Sequence, residues 1–219
     1  MIKNVFFDFN GTLINDVNLC IDLLNKFLEN QNKKLVTKER YKEIFRFPIQ
    51  EYYRLAGIDF NIESYESLSI KFIEEYQPKS YLCGLYDGVY ETLEFLKNKN
   101  INLYVLSASE INNLKKQCDM YKISGFFKEI IGLDNIHAAS KIDVAKEYIK
   151  NHNINPSETI FIGDTLHDVE VADAIGVNCF LVSCGHQSVN VLKQAKKTII
   201  DDINVLRLYY DEIFNRWKF

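Results

Sequence analysis

The sequence predicts an α/β fold in which a parallel β-sheet carries an inserted α-helical domain. Short apolar runs of strand length recur along the chain and alternate with amphipathic helical patterns, which is typical of parallel sheets with helical crossovers. The exception lies between the first strand and residue 84, where four helical patterns follow one another. Because these four helices cannot be one crossover helix, they predict an inserted cap.

The predicted elements follow in chain order. An apolar run predicts the first strand at about 4–9, and the i, i+3/i+4 spacing of apolar residues predicts helices through most of 16–76. Asp16 is placed to cap the first helix, Thr37 opens the second, and Pro48 separates the second from the third. The later elements are helix 87–99, strand 102–106, helix 110–121, a short apolar piece at 127–131, helix 140–152, strand 159–163, helix 166–175, strand 178–182, helix 187–196, strand 198–200 and helix 203–215. The domains predicted from this order are a Rossmann-like parallel sheet core of 1–16 and 81–219 and a helical cap of 17–80.

Composition narrows the classes of partner. Of the 219 residues, 47% are hydrophobic and 26% charged, as in an ordinary soluble globular protein. No apolar stretch has the length of a membrane span and no secretory signal is seen, so we expect a cytoplasmic protein. A net charge of −4 provides no electrostatic case for nucleic acid. The five cysteines lack a CxxC pair and are expected to be reduced and packed. The oligomeric state stays open.

Chemically active side chains stand at the ends of the predicted strands or at the starts of the helices. These residues are Asp8, Ser107, Lys141, Asp164 and Asp168, and Ala108 follows Ser107 with a backbone N–H at the same place. Any one of them alone would fit a turn or a helix cap, but parallel strands end at one edge of a sheet, so we expect all of them in one cleft. Carboxylate oxygens suit Mg²⁺, while an ammonium group and helix N-termini suit phosphate. The pattern therefore predicts a site for Mg²⁺ and phosphate.

The order of these motifs resembles that of the haloacid dehalogenase-like hydrolases, and most closely their phosphoglycolate phosphatase-like members. The likeness rests on Asp8-Phe9-Asn10-Gly11-Thr12-Leu13, on the strand end at Ser107, on Lys141, and on the stretch from Gly163 to Val177. The resemblance implies a Mg²⁺-dependent phosphatase that acts on a small phosphorylated molecule.

The resemblance also implies roles for individual residues. Asp8 would attack phosphorus and form an aspartyl-phosphate. A carboxylate oxygen of Asp8, the backbone carbonyl of Asn10 and Asp164 would hold Mg²⁺, with Asp168 in support. Two further sites would bind the phosphate: the hydroxyl of Ser107 with the N–H of the next residue, Ala108, and the ammonium of Lys141.

Asn10 departs from the family pattern, which has a second Asp at this position. That Asp transfers protons to the leaving oxygen and from the attacking water, which contributes roughly a hundred- to ten-thousand-fold in rate. An amide cannot do this, so Asn10 predicts intact binding and slow turnover. Three explanations stay open: a substrate with a good leaving group such as an aryl or acyl phosphate, a proton from elsewhere, or ligand binding without useful catalysis. A phosphotransferase is a further alternative.

The cap is expected to select the leaving group. Arg46 stands in a turn between Phe45 and Phe47, where it could bind an anionic or ring-bearing group; the alternative is a solvated helix face above aromatic core residues. Hinges for closure of the cap are predicted near 14–17 and 80–86. His167 is expected on the surface and His186 at the rim of the site, neither as a base.

Overall fold

One sheet organises the computed structural model, which describes residues 1–133 and 140–215. Its strands are Asn4–Phe7 (β1), Asn102–Glu110 (β2), Glu129–Leu133 (β3), Thr159–Gly163 (β4), Asn178–Val182 (β5) and Thr198–Ile200 (β6). All neighbours pair in parallel, in the order β3-β2-β1-β4-β5-β6. The strand order reverses between β1 and β4, and a crevice at such a point is where open α/β sheets bind ligands. The predicted α/β class with a Rossmann-like parallel sheet is confirmed.

Helices cover the sheet and form the insert. The α-helices of the described residues are Val17–Asn30 (α1), Lys38–Ile44 (α2), Ile49–Ala56 (α3), Tyr65–Ser80 (α4), Val89–Asn98 (α5), Ile111–Met120 (α6), Lys141–Asn151 (α7), Leu166–Ala174 (α8), Val189–Leu192 (α9) and Val205–Leu208 (α10). The predicted helix 187–196 is shorter than expected, since a 3₁₀ turn follows α9. The predicted helix 203–215 is divided into α10 and a π-helical turn at Asp211–Asn215.

The core lies on both faces of the sheet. Every residue of β1 and β4 is buried, as expected for central parallel strands. Successive side chains of β1 point to opposite faces: Val5 and Phe7 pack with α5 and α6, and Phe6 packs with α7 and α8. The strand ends at Phe7, before the predicted boundary, because the Phe9 carbonyl accepts hydrogen bonds from the N–H groups of Leu13 and Ile14 and the chain turns. Asp8 is thereby left at the edge of the sheet.

Helices α1–α4, here called the insert, lie in the chain between β1 and β2 and enclose an apolar cluster of their own. Thr37 caps α2 by accepting a hydrogen bond from the Arg40 N–H, as its position predicts. Asp16 precedes α1 but makes no side-chain cap bond, contrary to expectation, because its carboxylate is engaged in the site described below. The domain boundaries at 17 and 80 stay a prediction.

The insert lies against the loop that follows β5. Gln187 Nε2 donates to the Phe45 carbonyl at 2.8 Å, and the Ser188 N–H donates to the Lys42 carbonyl at 3.0 Å. Lys42 Nζ in turn donates to the Ser183 carbonyl at 2.9 Å. These bonds hold the insert over the carboxyl edge of the sheet. Among the described residues, no helix combines the length and the apolar character that crossing a membrane requires.

Candidate active site

Three buried carboxylates meet where the strand order reverses. Asp8 follows β1, Asp164 follows β4, and Asp168 lies in the first turn of α8. One ligand oxygen from each residue lies within 4.8 Å of the others. Their juxtaposition follows from the parallel pairing of β1 with β4, which brings both strand ends to one edge. Oxygen donors at this spacing fit a hard divalent cation such as Mg²⁺.

Lys141 joins two of these carboxylates. It is the first residue of α7, which Ser140 caps, and its side chain is 3% exposed. Nζ pairs with Asp8 and lies 2.7 Å from Asp168 Oδ1. Burial acts to lower the pKa of Lys141, but the charges of Asp168 and Asp8 outweigh it and raise the pKa, so the side chain is a cation. The nucleophile predicted from the motif is therefore held by an ion pair.

One ammonium group does not neutralise three carboxylates. Burial raises the pKa of Asp8 to about 8 and that of Asp164 to about 6, with Asp168 adding repulsion in both cases. The cluster thus favours an additional positive charge, and a divalent cation would stabilise the ionised forms that nucleophilic attack requires. The donor set and its charge both fit the predicted Mg²⁺.

Asp168 organises the loop after β4. Its Oδ2 accepts hydrogen bonds from the Asp164 N–H at 3.1 Å, the Thr165 N–H at 3.0 Å and the Thr165 hydroxyl at 2.8 Å. Burial acts to raise the pKa of Asp168, but Lys141 and these bonds hold it below its ordinary value. Both oxygens already have protein partners, which fits a supporting role beside the metal.

Two glycine loops pack directly on Asp164. Its Oδ2 accepts a hydrogen bond from the His186 N–H at 2.5 Å, and a Cβ on Gly11 would lie 2.3 Å from the same oxygen. A Cβ on Gly185 would lie 2.2 Å from it. Gly11 also has a φ of +73°, which L side chains rarely adopt. Both positions require glycine because the backbone closes around the carboxylate.

The side chain of Asn10 lies between serine hydroxyl groups, which donate to it, and a carboxylate, which accepts from it. Its Oδ1 accepts a hydrogen bond from the Ser109 hydroxyl at 3.0 Å and lies 3.4 Å from that of Ser107. Its Nδ2 donates to Asp16 Oδ2 at 3.0 Å and to the Tyr76 hydroxyl at 2.5 Å. The amide therefore matches donors on one side with a carboxylate on the other.

Asp16 is the centre of a second buried network. It accepts hydrogen bonds from the Gly11 N–H at 2.9 Å and the Tyr76 hydroxyl at 2.6 Å, and it lies 3.2 Å from His186 Nε2. Burial acts to raise the pKa of Asp16, but His186 and the hydrogen bonds lower it; Asp16 in turn raises the pKa of His186 against the effect of burial. The two buried side chains thus pair beside Asn10, an arrangement that favours the protonated form of His186.

Sequence reasoning missed this network. Asp16 was expected to cap a helix, and His186 was expected at the rim, although it is 4% exposed. Tyr76, at the end of the helices predicted through 16–76, was not singled out. The one local signal was an acidic residue, Asp16, six positions after Asn10.

A cleft of about 470 Å³ lies between the sheet edge and the insert. Ser107 and Ala108 line it together with Asp8, Asn10 and Lys141. An apolar part of the lining, here called the apolar wall, is formed by Phe45, Phe47, Ile49, Phe72 and Ile73, and Gln77, Glu110 and Asn113 add polar groups elsewhere.

Arg46 is not among the residues that line this cleft. Its Nε donates to the Ile44 carbonyl at 3.2 Å, and NH1 lies 3.6 Å from Glu51. Both contacts lie within the insert, so the structure does not bring Arg46 together with the other predicted site residues.

Comparisons with known proteins agree with the motifs. The family model of haloacid dehalogenase-like hydrolases matches residues 5–182. Phosphoglycolate phosphatase of Pseudomonas fluorescens is 28% identical over 92% of this chain and 77% of its own length. The pyrophosphatase PpaX of Anoxybacillus flavithermus is 24% identical over 77% of each chain. A haloacid dehalogenase-like hydrolase from Streptococcus pneumoniae has the same fold, with a TM-score of 0.79, 20% identity and coverage of 95% and 98% of the two chains. The chain therefore belongs to the haloacid dehalogenase-like hydrolases, among which it resembles the phosphoglycolate phosphatases.

Proposed function

We propose that this chain is a Mg²⁺-dependent phosphatase that hydrolyses a small phosphorylated molecule through an aspartyl-phosphate on Asp8. The observation that carries the proposal is the buried Asp8–Lys141 ion pair at the strand-order reversal, beside two further carboxylates. The names of the relatives, phosphoglycolate phosphatase and pyrophosphatase, support the same reaction class.

Each residue of the cleft has a separate role in the proposed reaction. Asp8 attacks phosphorus, the bond from phosphorus to the leaving oxygen breaks, and the leaving group departs with the electron pair. Water then attacks the aspartyl-phosphate, which releases inorganic phosphate and restores Asp8. Lys141 orients Asp8 and offsets the negative charge of the phosphate, and Ser107 with the Ala108 N–H binds phosphate oxygens.

Mg²⁺, when bound, supplies positive charge that offsets the repulsion between the phosphate and Asp8. Asp8, Asp164 and the backbone carbonyl of Asn10 would hold it, with Asp168 in support. Asn10 itself contributes no proton: its side chain holds Ser109 and Asp16 in place. The leaving oxygen therefore takes its proton from water or from the substrate.

Phosphate release tests the proposal. The parent chain and Asp8→Asn would be compared with Mg²⁺ and four substrates: acetyl phosphate, phenyl phosphate, phosphoglycolate and pyrophosphate. We expect release from at least one substrate by the parent and a loss of about a thousandfold or more in Asp8→Asn. Asp22→Asn removes an exposed carboxylate from α1 and serves as the control, with release unchanged. Equal release by the parent and Asp8→Asn would contradict the mechanism, and no release by the parent would leave ligand binding without catalysis as the function.

A further inference from the structure

We propose that the preferred substrate is an aryl phosphate, a monoester whose leaving group is an uncharged aromatic ring bearing the ester oxygen. This inference rests on the proposed function and adds the class of the leaving group. Three features of the cleft carry it: its apolar wall, the pairing of its cations, and the amide at position 10.

The apolar wall of the cleft can pack against an aromatic ring. Three phenyl rings and two isoleucines form it, and five of the residues that line the cleft also line a second cavity of about 210 Å³ inside the insert. These shared residues are Cys20, Phe45, Ile49, Phe72 and Ile73. Aromatic rings pack on one another in offset or edge-to-face arrangements with an energy beyond that of area burial. A ring attached to the phosphate would therefore meet partners, with room for a substituent.

The charges of the cleft disfavour an anionic leaving group. Each cationic or basic side chain among its described lining residues already faces a carboxylate: Lys141 faces Asp8 and Asp168, His186 faces Asp16, and His167 faces Glu170. Arg46, the nearby cation of the turn, lies outside the lining and faces Glu51. A carboxylate or a second phosphate on the leaving group would thus lose hydration without gaining a cationic partner, which is costly.

The amide of Asn10 favours a leaving group that needs no acid. A phenol such as the tyrosine side chain has a pKa of about 10, whereas an alkoxide is about as basic as the conjugate base of water, whose pKa is about 15.7. In the proposed step Asp8 forms a bond to phosphorus, the aryl oxygen leaves as phenolate with the bonding electron pair, and solvent water then protonates it. Attack by a second water releases phosphate. No step requires a proton from position 10.

Three matched substrates separate these arguments. Phenyl phosphate has an apolar ring and an acidic leaving group, cyclohexyl phosphate has a similar size and a basic leaving group, and phosphoglycolate has a charged one. We expect kcat/KM for phenyl phosphate to exceed both others at least tenfold with saturating Mg²⁺. A higher value for phosphoglycolate would overturn the substrate class while leaving the phosphatase proposal intact. Equal values for phenyl and cyclohexyl phosphate would overturn the argument from leaving-group acidity. No release from any substrate would overturn the proposed function with it.

A pair of substitutions on α4 tests the wall directly. Ile73 lines both cavities and is 48% exposed, and Ile70, one turn earlier, is 61% exposed and lines neither cavity. Arginine fits both positions because both side chains reach solvent. We expect Ile73→Arg to lower kcat/KM for phenyl phosphate about tenfold and to raise it for phosphoglycolate, whereas Ile70→Arg changes neither. Identical effects of the two substitutions would show that the wall does not select the leaving group.

Discussion

Replacement of Asn10 by Asp would create an electrostatic conflict in this chain. Asn10 Nδ2 donates to Asp16 Oδ2 at 3.0 Å, so Asp at position 10 would place two carboxylate oxygens at about this distance. Tyr76 has a single hydroxyl proton, which Asp16 already accepts, and it could serve only one of the two. The substitution therefore exchanges a hydrogen bond for like-charge repulsion.

The size of the effect follows from the distance. Two unit charges about 3 Å apart repel by about 5 to 6 kcal/mol at an effective dielectric constant of about 20. Protonation of one carboxyl group relieves the repulsion, and holding a group of ordinary pKa about 4 protonated at pH 7 costs about 4 kcal/mol. The cost of protonation is the smaller of the two and sets the upper limit of the effect, and His186, when protonated, offsets part of it. We expect Asn10→Asp to lower the free energy of unfolding by about 2 to 4 kcal/mol at pH 7.

The loss must depend on pH. In the folded variant, repulsion between the carboxylates at positions 10 and 16 raises the pKa of one of them above its value in the unfolded chain. Between these two pKa values the folded state therefore binds more protons than the unfolded state. Stability relative to the parent is therefore lost as pH rises from about 4 toward the raised folded pKa. At pH 5 the deficit shrinks to about 1.4 kcal/mol, the cost of one pH unit.

Urea unfolding at pH 5 and pH 7 measures these free energies. The matched control is Asn10→Leu, which removes the same hydrogen bonds of the amide without adding a charge, so its loss of stability should be equal at both pH values. The deficit of Asn10→Asp should instead grow from pH 5 to pH 7. An equal deficit of Asn10→Asp at both pH values would refute the reasoning.

Three further outcomes follow from the carboxylate cluster. Lys141→Met should lower the free energy of unfolding by about 3 to 5 kcal/mol and abolish phosphate release, because Asp8 and Asp168 lose their buried partner. Urea unfolding measures the loss of stability, and unchanged stability would contradict the ion pair. Mg²⁺ at a hundred times its Kd should stabilise the parent by about 2.7 kcal/mol, and thermal unfolding of Asp164→Asn should show a clearly smaller gain at the same Mg²⁺ concentration. Gly11→Ala should unfold at lower urea and bind Mg²⁺ more weakly, since its Cβ would meet Asp164 Oδ2; calorimetric titration that gave the parent affinity would argue against this contact.

Much of the fold could be predicted because its signals are local. Central parallel strands are buried on both faces, so β1 and β4 appear as continuous apolar runs, and amphipathic helices repeat with the helical period. The last two predicted helices were less accurate, since short helical turns near the C-terminus carry too few residues for a period to be seen. Boundaries within loops depended on backbone hydrogen bonds, such as those to Phe9, that composition does not reveal.

The sequence by itself determined the family and which residues meet at one edge of the sheet. Asp8 and Asp164 follow the apolar runs of β1 and β4, Ser107 follows the apolar run inside β2, and Lys141 opens α7. Parallel strands all end at one edge, so these positions can meet there.

Only the tertiary structure decided what surrounds Asn10 and what lines the cleft. Asp16, Tyr76 and His186 come from different parts of the chain, and their contacts depend on how the insert packs on the sheet. Arg46 likewise turns toward Glu51 rather than the cleft. Periodicity specifies which face of an element is buried, but the partner across an interface is set by side-chain packing between elements distant in sequence.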